Sequence, residues 1–421
     1  MTGRWITWRS RAGAAAAVVA ACALAAGVTA CGSNSDSSTG AASTSAGTGT
    51  GSSGGGTYKI GWAEAKTGYL ALVDQPLEKG LRAEIARIND AGGIDGKYKI
   101  ELETRDMKTD AATGATVAQE LLSDGIDALI TTCDTDVSLP GAQIAAQQNT
   151  PVISSCGAGA QFPQQVPAPY GFLNVSGTEA EGSAIAEYAN KKGYKTAYIL
   201  SSNSEAYTSR LPAAFEKRFK ELGGRIVGSA QYKIGDTDYR ATATKIVSAN
   251  PDVIVPAAFP PDSIAFLKNL AAAGNTKPII LNDGNDTPAI FGAGSQLKNS
   301  TMITYGGYTG PDSTAEQWLA AYKKMFGGEP GSLQTALGGD LADALAAAVK
   351  AAGSTDGTKV ANALRGLPTF PGATGPVTYG DSTKFGLTPG VPKKMFAVAT
   401  FDLPNKSFKV VESFFPDKVV Q

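Results

Sequence analysis

The order of apolar and polar positions around residue 140 predicts a short strand–helix–strand unit. Two apolar runs, 128–131 and 151–154, each end in a small polar loop that contains a cysteine. Between them, residues 137–148 place apolar side chains on one face and glutamines on the other, which is the period of a helix. Strands joined through a helix run parallel, so the loops that follow them leave the sheet at the same edge, where open α/β folds bind ligands.

These two loops carry the first candidates for a functional site. Their polar or reactive side chains are Cys133, Asp134 and Thr135 after the first strand, and Ser154, Ser155 and Cys156 after the second. Because both strands point the same way, we expect the two groups to lie side by side at one ligand-binding edge.

The alternation of strands and helices extends to the beginning of the folded chain. Strands are predicted at 58–63 and 97–105, and helices at 77–90 and 110–123. Asp110 precedes the second helix and is its predicted N-cap. Together with the central unit, these elements predict one parallel sheet.

A second sheet is predicted after residues 162–174, which are rich in proline and aromatic residues and indicate a crossing into another domain. Strands are predicted at 195–200, 225–232, 252–256, 278–281 and 302–305, and helices at 178–192, 207–222, 239–249 and 263–274. Helices at 315–326, 339–352 and 358–364 are predicted to return to the first domain, followed by a terminal β-ribbon at 376–379, 394–402 and 407–412.

The pattern therefore predicts an α/β fold of two lobes, each a mostly parallel sheet flanked by helices. We assign residues 57–172 and 307–375 to lobe 1, and residues 173–306 and 376–421 to lobe 2. The ligand cleft is expected between the lobes.

The N-terminal region predicts export and a lipid anchor. A basic start and an uncharged run rich in alanine and valine indicate a signal peptide over residues 1–30 or a weak membrane anchor. The run from Val28 to Cys31 resembles the bacterial lipobox, in which the cysteine is lipidated. The residues that follow, up to 56, are almost all Gly, Ser, Thr and Ala, a composition typical of a flexible tether. We interpret the protein as a lipoprotein anchored to the membrane through Cys31 alone.

Charge and composition exclude several function classes. Removing Arg4, Arg9 and Arg11 with the signal peptide leaves 34 of the 37 basic residues against 38 acidic ones, a net charge of −4. This balance gives no electrostatic reason to bind nucleic acid. The chain contains no histidine, which excludes Ser-His-Asp and Cys-His nucleophiles and histidine-ligated metals. We expect no cofactor and no metal, because Asp134 and Asp136 alone are too few ligands for a Ca²⁺ site.

The cysteine count predicts one disulfide. Cys22 leaves with the signal peptide and Cys31 takes the lipid, so the exported body retains Cys133 and Cys156. Two thiols on neighbouring loops outside the cytoplasm are expected to pair.

Four short motifs resemble type I periplasmic binding proteins, most closely the Leu/Ile/Val-binding family of solute receptors for ABC importers. The first is the Asn-Asp-Ala-Gly-Gly-Ile-Asp-Gly run over residues 89–96, after a strand and a helix. The others are Gly-Gly at 223–224, Gly-Asp-Thr-Asp-Tyr at 235–239 and Ala-Asn-Pro-Asp at 249–252. The resemblance covers the chain from Tyr58 onward and implies two lobes that close on a ligand through a hinge.

The resemblance also implies which residues contact the ligand. In amino-acid binders of the family, hydroxyl groups and backbone amides of two first-lobe loops hold the α-carboxylate, and a second-lobe acid pairs with the α-amine. Matched by motif, the ligand-binding candidates here are Tyr69, Asp134, Thr135, Ser154, Ser155, Gly157, Tyr207, Phe259 and Asp283. Aromatic residues at strand ends are more often packing residues, and Tyr69 and Tyr207 are the better pocket candidates because they lie in polar loops.

The first loop departs from this pattern, since it offers Asp134-Thr135-Asp136 where a carboxylate binder offers hydroxyl groups. An aspartate repels a ligand carboxylate and favours a ligand with N–H or O–H donors. Asp136 precedes a helix and is the favoured N-cap, whereas ligand contact and capping are equally open for Asp134. Asp283 is interpreted either as a ligand residue or as a turn former.

These observations predict a monomeric, non-enzymatic solute receptor that delivers a small polar molecule to an ABC permease. The ligand is expected to be neutral or cationic: an amino acid, an amide, an amine or a polyol. A ligand-sensing receptor of the same fold is the first alternative, and an envelope hydrolase that uses paired carboxylates is the second.

Overall fold

The computed structural model describes residues 55–307 and 313–421. The predicted signal peptide, Cys31 and nearly all of the tether lie outside the described residues. Within the part of the chain that is described, no helix combines the length and the apolar run needed to cross a membrane.

The first half alternates strands and helices as the sequence predicts. Its elements in chain order are β1 (Gly56–Glu64), α1 (Ala71–Asp90), β2 (Tyr98–Asp106), α2 (Ala111–Ser123), β3 (Ala128–Thr131), α3 (Thr135–Gln147), β4 (Val152–Ser154), α4 (Phe162–Gln165) and β5 (Gly171–Leu173). The strands form a parallel sheet in the order β2-β1-β3-β4-β5, which we call the first sheet. Its apolar side chains are buried against α1, which lays Leu77, Leu81 and Ile85 on the sheet.

The second half repeats the alternation and then returns to the first sheet. Its elements are α5 (Thr178–Lys191), β6 (Thr196–Ser201), α6 (Ala206–Glu221), β7 (Arg225–Gln231), α7 (Arg240–Ala249), β8 (Val253–Pro256), α8 (Asp262–Ala272), β9 (Ile279–Leu281), β10 (Ser300–Tyr305), α9 (Ser313–Phe326), α10 (Thr335–Ala352), α11 (Gly357–Arg365), β11 (Phe370–Gly372), β12 (Gly375–Thr378), β13 (Lys393–Lys394), β14 (Phe396–Asp402) and β15 (Ser407–Phe414). Short 3-10 helices occupy Asp283–Asn285, Pro288–Asn299 and Ser382–Phe385.

The C-terminal strands differ in part from the predicted ribbon. β14 and β15 form an antiparallel pair that extends the second sheet, whose order is β15-β14-β10-β9-β8-β6-β7. β12 instead pairs with β11 and β13 in a separate antiparallel sheet of three strands. The prediction of one continuous ribbon is therefore wrong, because the sequence pattern of β12 does not reveal its pairing partners. The two-lobed α/β fold is confirmed, and the residue bounds of the lobes stay a prediction.

Helix caps fix where the loops end. Asp110 is the N-cap of α2, as predicted, since its side chain accepts a hydrogen bond from the Thr113 amide at 2.8 Å. Asp134 is the N-cap of α3, with an extended backbone and hydrogen bonds from the amides two and three residues later. The interpretation of Asp136 as the cap is wrong, because Asp136 already lies in the first turn of the helix.

A buried ionic network lies where the chain passes between the sheets. The Lys394 ammonium is almost fully buried and donates to Asp340 on α10 and, at 2.9 Å, to the side-chain oxygen of Asn174. Asn174 follows β5, and its amide group donates to the carbonyl of Ser155 at 3.0 Å and to that of Leu337 at 2.8 Å. Burial lowers the pKa of Lys394, while the Asp340 carboxylate favours the charged form. One network thus joins the separate three-stranded sheet, through Lys394 of β13, to α10 and to a loop at the edge of the first sheet.

Helices α1 and α10 touch backbone to backbone. A Cβ atom at Gly338 on α10 would lie 1.9 Å from the Leu77 carbonyl oxygen, and one at Gly80 on α1 would lie 1.9 Å from the Thr335 carbonyl oxygen. Glycine is required at both positions because no side-chain atom fits between the helices. This close packing sets the position of α1 and of the loop before it.

Replacing Gly338 with alanine is expected to lower the free energy of unfolding by roughly 1–3 kcal/mol, because the helices must separate to admit a methyl group. Urea unfolding followed by circular dichroism measures the change. The control is Gly328→Ala, since a Cβ there would have no other atom within 4 Å. Equal unfolding midpoints for the two variants would contradict this account of the packing.

Candidate functional site

The loops after β3 and β4 lie side by side at the carboxyl edge of the first sheet. Thr131 and Ser154 are paired at the ends of the two parallel strands. Cys133 and Cys156, two residues further along each loop, form a disulfide with an S–S distance of 2.04 Å and a Cα–Cα distance of 4.5 Å. The predictions of adjacent loops and of this disulfide are both confirmed. We call the segments after β1, β3 and β4 (residues 65–70, 132–134 and 155–161) the first-lobe loops.

Asp134 caps α3 and also binds Tyr69, so capping is confirmed, and ligand contact by Asp134 stays a prediction. One carboxylate oxygen accepts the amides of Asp136, at 2.8 Å, and Val137, at 3.1 Å. The other accepts the hydroxyl of Tyr69 at 3.2 Å. Burial first, and then the Asp134 charge, raise the pKa of Tyr69 to about 12. The ring of Tyr69 remains 63% exposed, so this pair lies at an open edge of the protein.

The small polar residues of the second loop are bonded within the protein. The buried Ser154 hydroxyl donates to the Thr132 carbonyl at 3.0 Å and accepts the Gly157 amide at 3.1 Å. The Ser155 hydroxyl donates to the Asp74 carboxylate at 3.3 Å. The Thr135 hydroxyl lies beside this loop, 2.7 Å from where a Cβ of Gly159 would stand. Ligand contact by these residues stays a prediction, and their hydrogen bonds show that they shape the loop.

Asp74 is a central residue of this edge that sequence reasoning missed. It is fully buried, and it accepts the Ala65 amide at 2.9 Å as well as the Ser155 hydroxyl. Burial raises the pKa of Asp74 to about 7. The sequence signal is weak because the predicted helix began at Leu77, whereas α1 begins at Ala71 and includes Asp74 in its first turn.

Across the cleft, three side chains of the second half form a cluster that includes two of the predicted residues. The Tyr207 hydroxyl donates to the Asp283 carboxylate and lies 3.2 Å from the Glu181 carboxylate. The Asp283 amide donates to the other oxygen of Glu181 at 2.8 Å. We call Glu181, Tyr207 and Asp283 the second-lobe acid cluster. Sequence reasoning missed Glu181, because it lies one turn inside α5 among residues of a surface-like composition.

Burial dominates the electrostatics of this cluster. It raises the pKa of Asp283 to about 6 and that of Glu181 well above its ordinary value, the latter also through the Asp283 charge. The Tyr305 hydroxyl is buried without a hydrogen-bond partner, and the charges of Glu181 and Asp283 add to burial in raising its pKa. The cluster is thus a polar site in which burial favours the protonated forms of the acids.

Other residues bring negative charge close to both halves of the site. Burial raises the pKa of Glu205, and the charges of Asp134 and Asp262 add to this shift. Arg210, from α6, is held by the Glu179 carboxylate at 2.6 Å and by the Gln161 side-chain oxygen at 2.6 Å. Phe259 is half-buried and packs beside Gly284, so it joins the loop of the acid cluster. Acids from both halves of the chain therefore approach one another, while Arg210 is engaged.

The site is not a metal centre of the usual kind. Among residues 55–307 and 313–421, no three Cys, Asp or Glu side chains are grouped so that they could hold a metal ion. The chemistry offered by these side chains is hydrogen-bond acceptance and negative charge, which suits the recognition of donor groups.

The protein has two mostly parallel sheets flanked by helices, with polar loops at the carboxyl ends of the parallel strands. This is the architecture of a two-lobed solute-binding protein. The periplasmic binding protein family model matches residues 57–390, and the chain belongs to that family. The resemblance to type I periplasmic binding proteins of the Leu/Ile/Val-binding group is confirmed. The family consists of extracytoplasmic solute-binding transport components without enzymatic activity. The predictions of an exported protein and of a non-enzymatic receptor are therefore confirmed.

Relatives of known name or structure agree with this assignment. The chain is 26% identical over 319 residues to Leu/Ile/Val-binding protein homolog 1 of Brucella abortus, covering 74% of this chain and 83% of that one. It is similar to the branched-chain amino acid transporter substrate-binding protein of Streptococcus pneumoniae in complex with isoleucine, with a TM-score of 0.73, 24% identity and coverage of 86% and 100%. A solute-binding protein of R. palustris in complex with benzoate has a TM-score of 0.71, 18% identity and coverage of 87% and 99%.

The raised pKa values predict that the folded protein loses stability as the pH rises from about 5 to about 8. Burial raises the pKa of Glu64, Asp74 and Asp286 to about 7 each. Between the unfolded pKa, near 4, and these values the folded state binds more protons than the unfolded state, so the free energy of unfolding falls with pH. The absence of histidine removes the usual side-chain contribution in this range.

Urea unfolding at the two pH values tests this prediction. Asp252→Asn is the control, because hydrogen bonds from the backbone of Lys195 and Thr196 lower the pKa of Asp252 and it titrates below this range. In that variant the free energy of unfolding should fall between the two pH values by as much as it does in the wild type. Equal or greater stability at the higher pH would show that the buried carboxyl groups do not bind protons as described.

Proposed function

We propose that this protein is the substrate-binding lipoprotein of an ABC importer. It closes two lobes around a small polar solute, by preference neutral or cationic, and delivers that solute to the permease. Membership of the periplasmic binding protein family supports the transport role. The lipid anchor is supported by the lipobox-like run that ends at Cys31 and by the tether sequence that follows it.

The acids on both sides of the cleft are the main support for the proposed ligand class. Asp134 with Tyr69 on one side, and the second-lobe acid cluster on the other, offer acceptors and negative charge. Arg210 is engaged by Glu179 and Gln161 and therefore does not compensate these acids. A ligand that brings N–H or O–H donors satisfies such a site, whereas an anionic ligand is repelled.

The capping role of Asp134 strengthens the argument against a ligand carboxylate. The N-terminus of α3 would otherwise offer free amides to an anion. Here Asp134 already accepts the amides of Asp136 and Val137, which reduces the donors left for a carboxylate. The known ligands of similar structures, isoleucine and benzoate, both carry a carboxylate. We infer that this receptor selects an amine, amide or polyol.

Replacing Asp134 with alanine tests this inference. The first measurement is calorimetric titration of the wild type with putrescine, myo-inositol, L-leucine and benzoate. Putrescine is expected to bind most tightly, and the variant is expected to lose about 1.5–3 kcal/mol of its binding free energy. Loss of the helix cap is expected to lower the free energy of unfolding by about 1 kcal/mol as well.

The control for this prediction is Asp136→Ala, which removes the same charge from an exposed position in the first turn of the same helix. Its affinity for putrescine should remain close to that of the wild type. Unchanged affinity in Asp134→Ala would remove Asp134 from the site. Tightest binding of benzoate by the wild type would contradict the proposed ligand class.

The lipid anchor has its own test. Cys31→Ala should remove the diacylglyceryl mass from the N-terminal peptide and leave the protein unanchored or uncleaved. Mass spectrometry of that peptide, from protein made in a bacterium that processes lipoproteins, measures the change. Cys22→Ala is the matched control and should retain the lipid, because Cys22 belongs to the predicted signal peptide. A wild-type peptide without lipid would show that the anchor does not exist.

A further inference from the structure

One buried carboxyl group joins the first-lobe loop after β1 to the first-lobe loop after β4. Asp74 accepts the Ala65 amide, from the loop after β1, at 2.9 Å. It accepts the Ser155 hydroxyl, from the loop after β4, at 3.3 Å. The loop after β3 is tied to the loop after β4 by the Cys133–Cys156 disulfide. Donors from two separate strand ends therefore converge on one side chain, and the disulfide connects the third loop to them.

The disulfide cannot replace this function. Cys133 and Cys156 connect only the loops after β3 and β4. The loop after β1 is held from its other side by Asp106, which accepts the amides of Lys66 and Thr67 and belongs to the end of β2. Asp74 therefore connects the loop after β1 to the two disulfide-linked loops through its hydrogen bonds. The hydrogen bond between Tyr69 and Asp134 makes a second connection between them.

A carboxyl group is suited to this position because it accepts several hydrogen bonds at once. Asp74 is fully buried, so each donor that lost it would be left without a partner inside the protein. Glu64, at the end of β1, is a second buried acid; burial first, and then the charges of Glu78 and Asp74, raise its pKa. The fold thus maintains a costly buried acid where the proposed ligand contacts are assembled.

We propose that Asp74 is a positioning residue of the solute site. By fixing the loop after β1 relative to the two disulfide-linked loops, it holds Tyr69 and Asp134 in the arrangement that faces the solute. Asp74 itself does not contact the solute. This inference rests on the proposed function for its link to affinity, while the loop arrangement can be tested independently of any ligand.

The experiment compares Asp74→Asn with Asp127→Asn. Asparagine keeps the shape of the side chain but replaces one acceptor with a donor, which opposes the donors that converge there. Asp127 is a matched control in the same sheet, because it is half-buried and accepts the Lys59 amide at 2.7 Å at the opposite edge. Ser155→Ala is a milder second variant that removes one of the donors to Asp74 and is used if Asp74→Asn does not fold.

Amide hydrogen exchange read by mass spectrometry is the primary measurement. Peptides that contain the first-lobe loops should exchange about tenfold faster in Asp74→Asn, and less so in Ser155→Ala, because one buried hydrogen bond is lost. The same peptides should exchange at the wild-type rate in Asp127→Asn. Wild-type exchange in both test variants, or equal acceleration in the control, would overturn the proposal.

Calorimetric titration with putrescine connects the loops to binding. The dissociation constant should rise about tenfold in Asp74→Asn and stay within about twofold in Asp127→Asn. Faster loop exchange with unchanged affinity would overturn the assignment of Asp74 to the solute site. If none of the four probes binds the wild type, the proposed ligand class fails, and hydrogen exchange still decides whether Asp74 holds the loops.

Discussion

Buried carboxyl groups that accept backbone and hydroxyl donors are the constraint on which this structure depends. Loops at the end of a parallel sheet have amides that no neighbouring strand satisfies, and a carboxylate can accept several of them. Asp74 does so for the first-lobe loops, and Asp286 accepts the amides of Leu333 and Gln334 where the chain enters α10. Asp340 accepts the Thr374 amide near the small sheet. Each acid is costly to bury, and each is retained where two distant parts of the chain meet.

The same chemistry gives the cleft its character. A protein that uses acids to hold its loops, and that adds Asp134 and the second-lobe acid cluster at the open edge, presents a surface of acceptors. On the proposed function the solute supplies the donors that this surface lacks, and its binding is expected to reduce the repulsion between the two halves. Neutralising the opposed carboxylates would then favour both ligand binding and lobe closure.

Much of the fold follows from the sequence because strand and helix periods are local signals. The runs before Cys133 and Cys156, and the helix between them, sufficed to predict adjacent loops and their disulfide. The site was harder, because Asp74 and Glu181 look like surface acids in the sequence and become buried only through packing of α1 and α5. The choice between Asp134 and Asp136 as the cap depends on the backbone angles of a single residue, which the pattern of residue types does not specify.

The buried Lys394 has a consequence for how the protein moves. Its ammonium group is bound by Asp340 and Asn174, residues on separate segments beside the passage between the sheets. Separating Lys394 from Asp340 would leave two charges without compensation in the interior, at a cost of several kcal/mol. Movements of the chain that keep this ion pair closed are therefore favoured over movements that pull α10 away from β13.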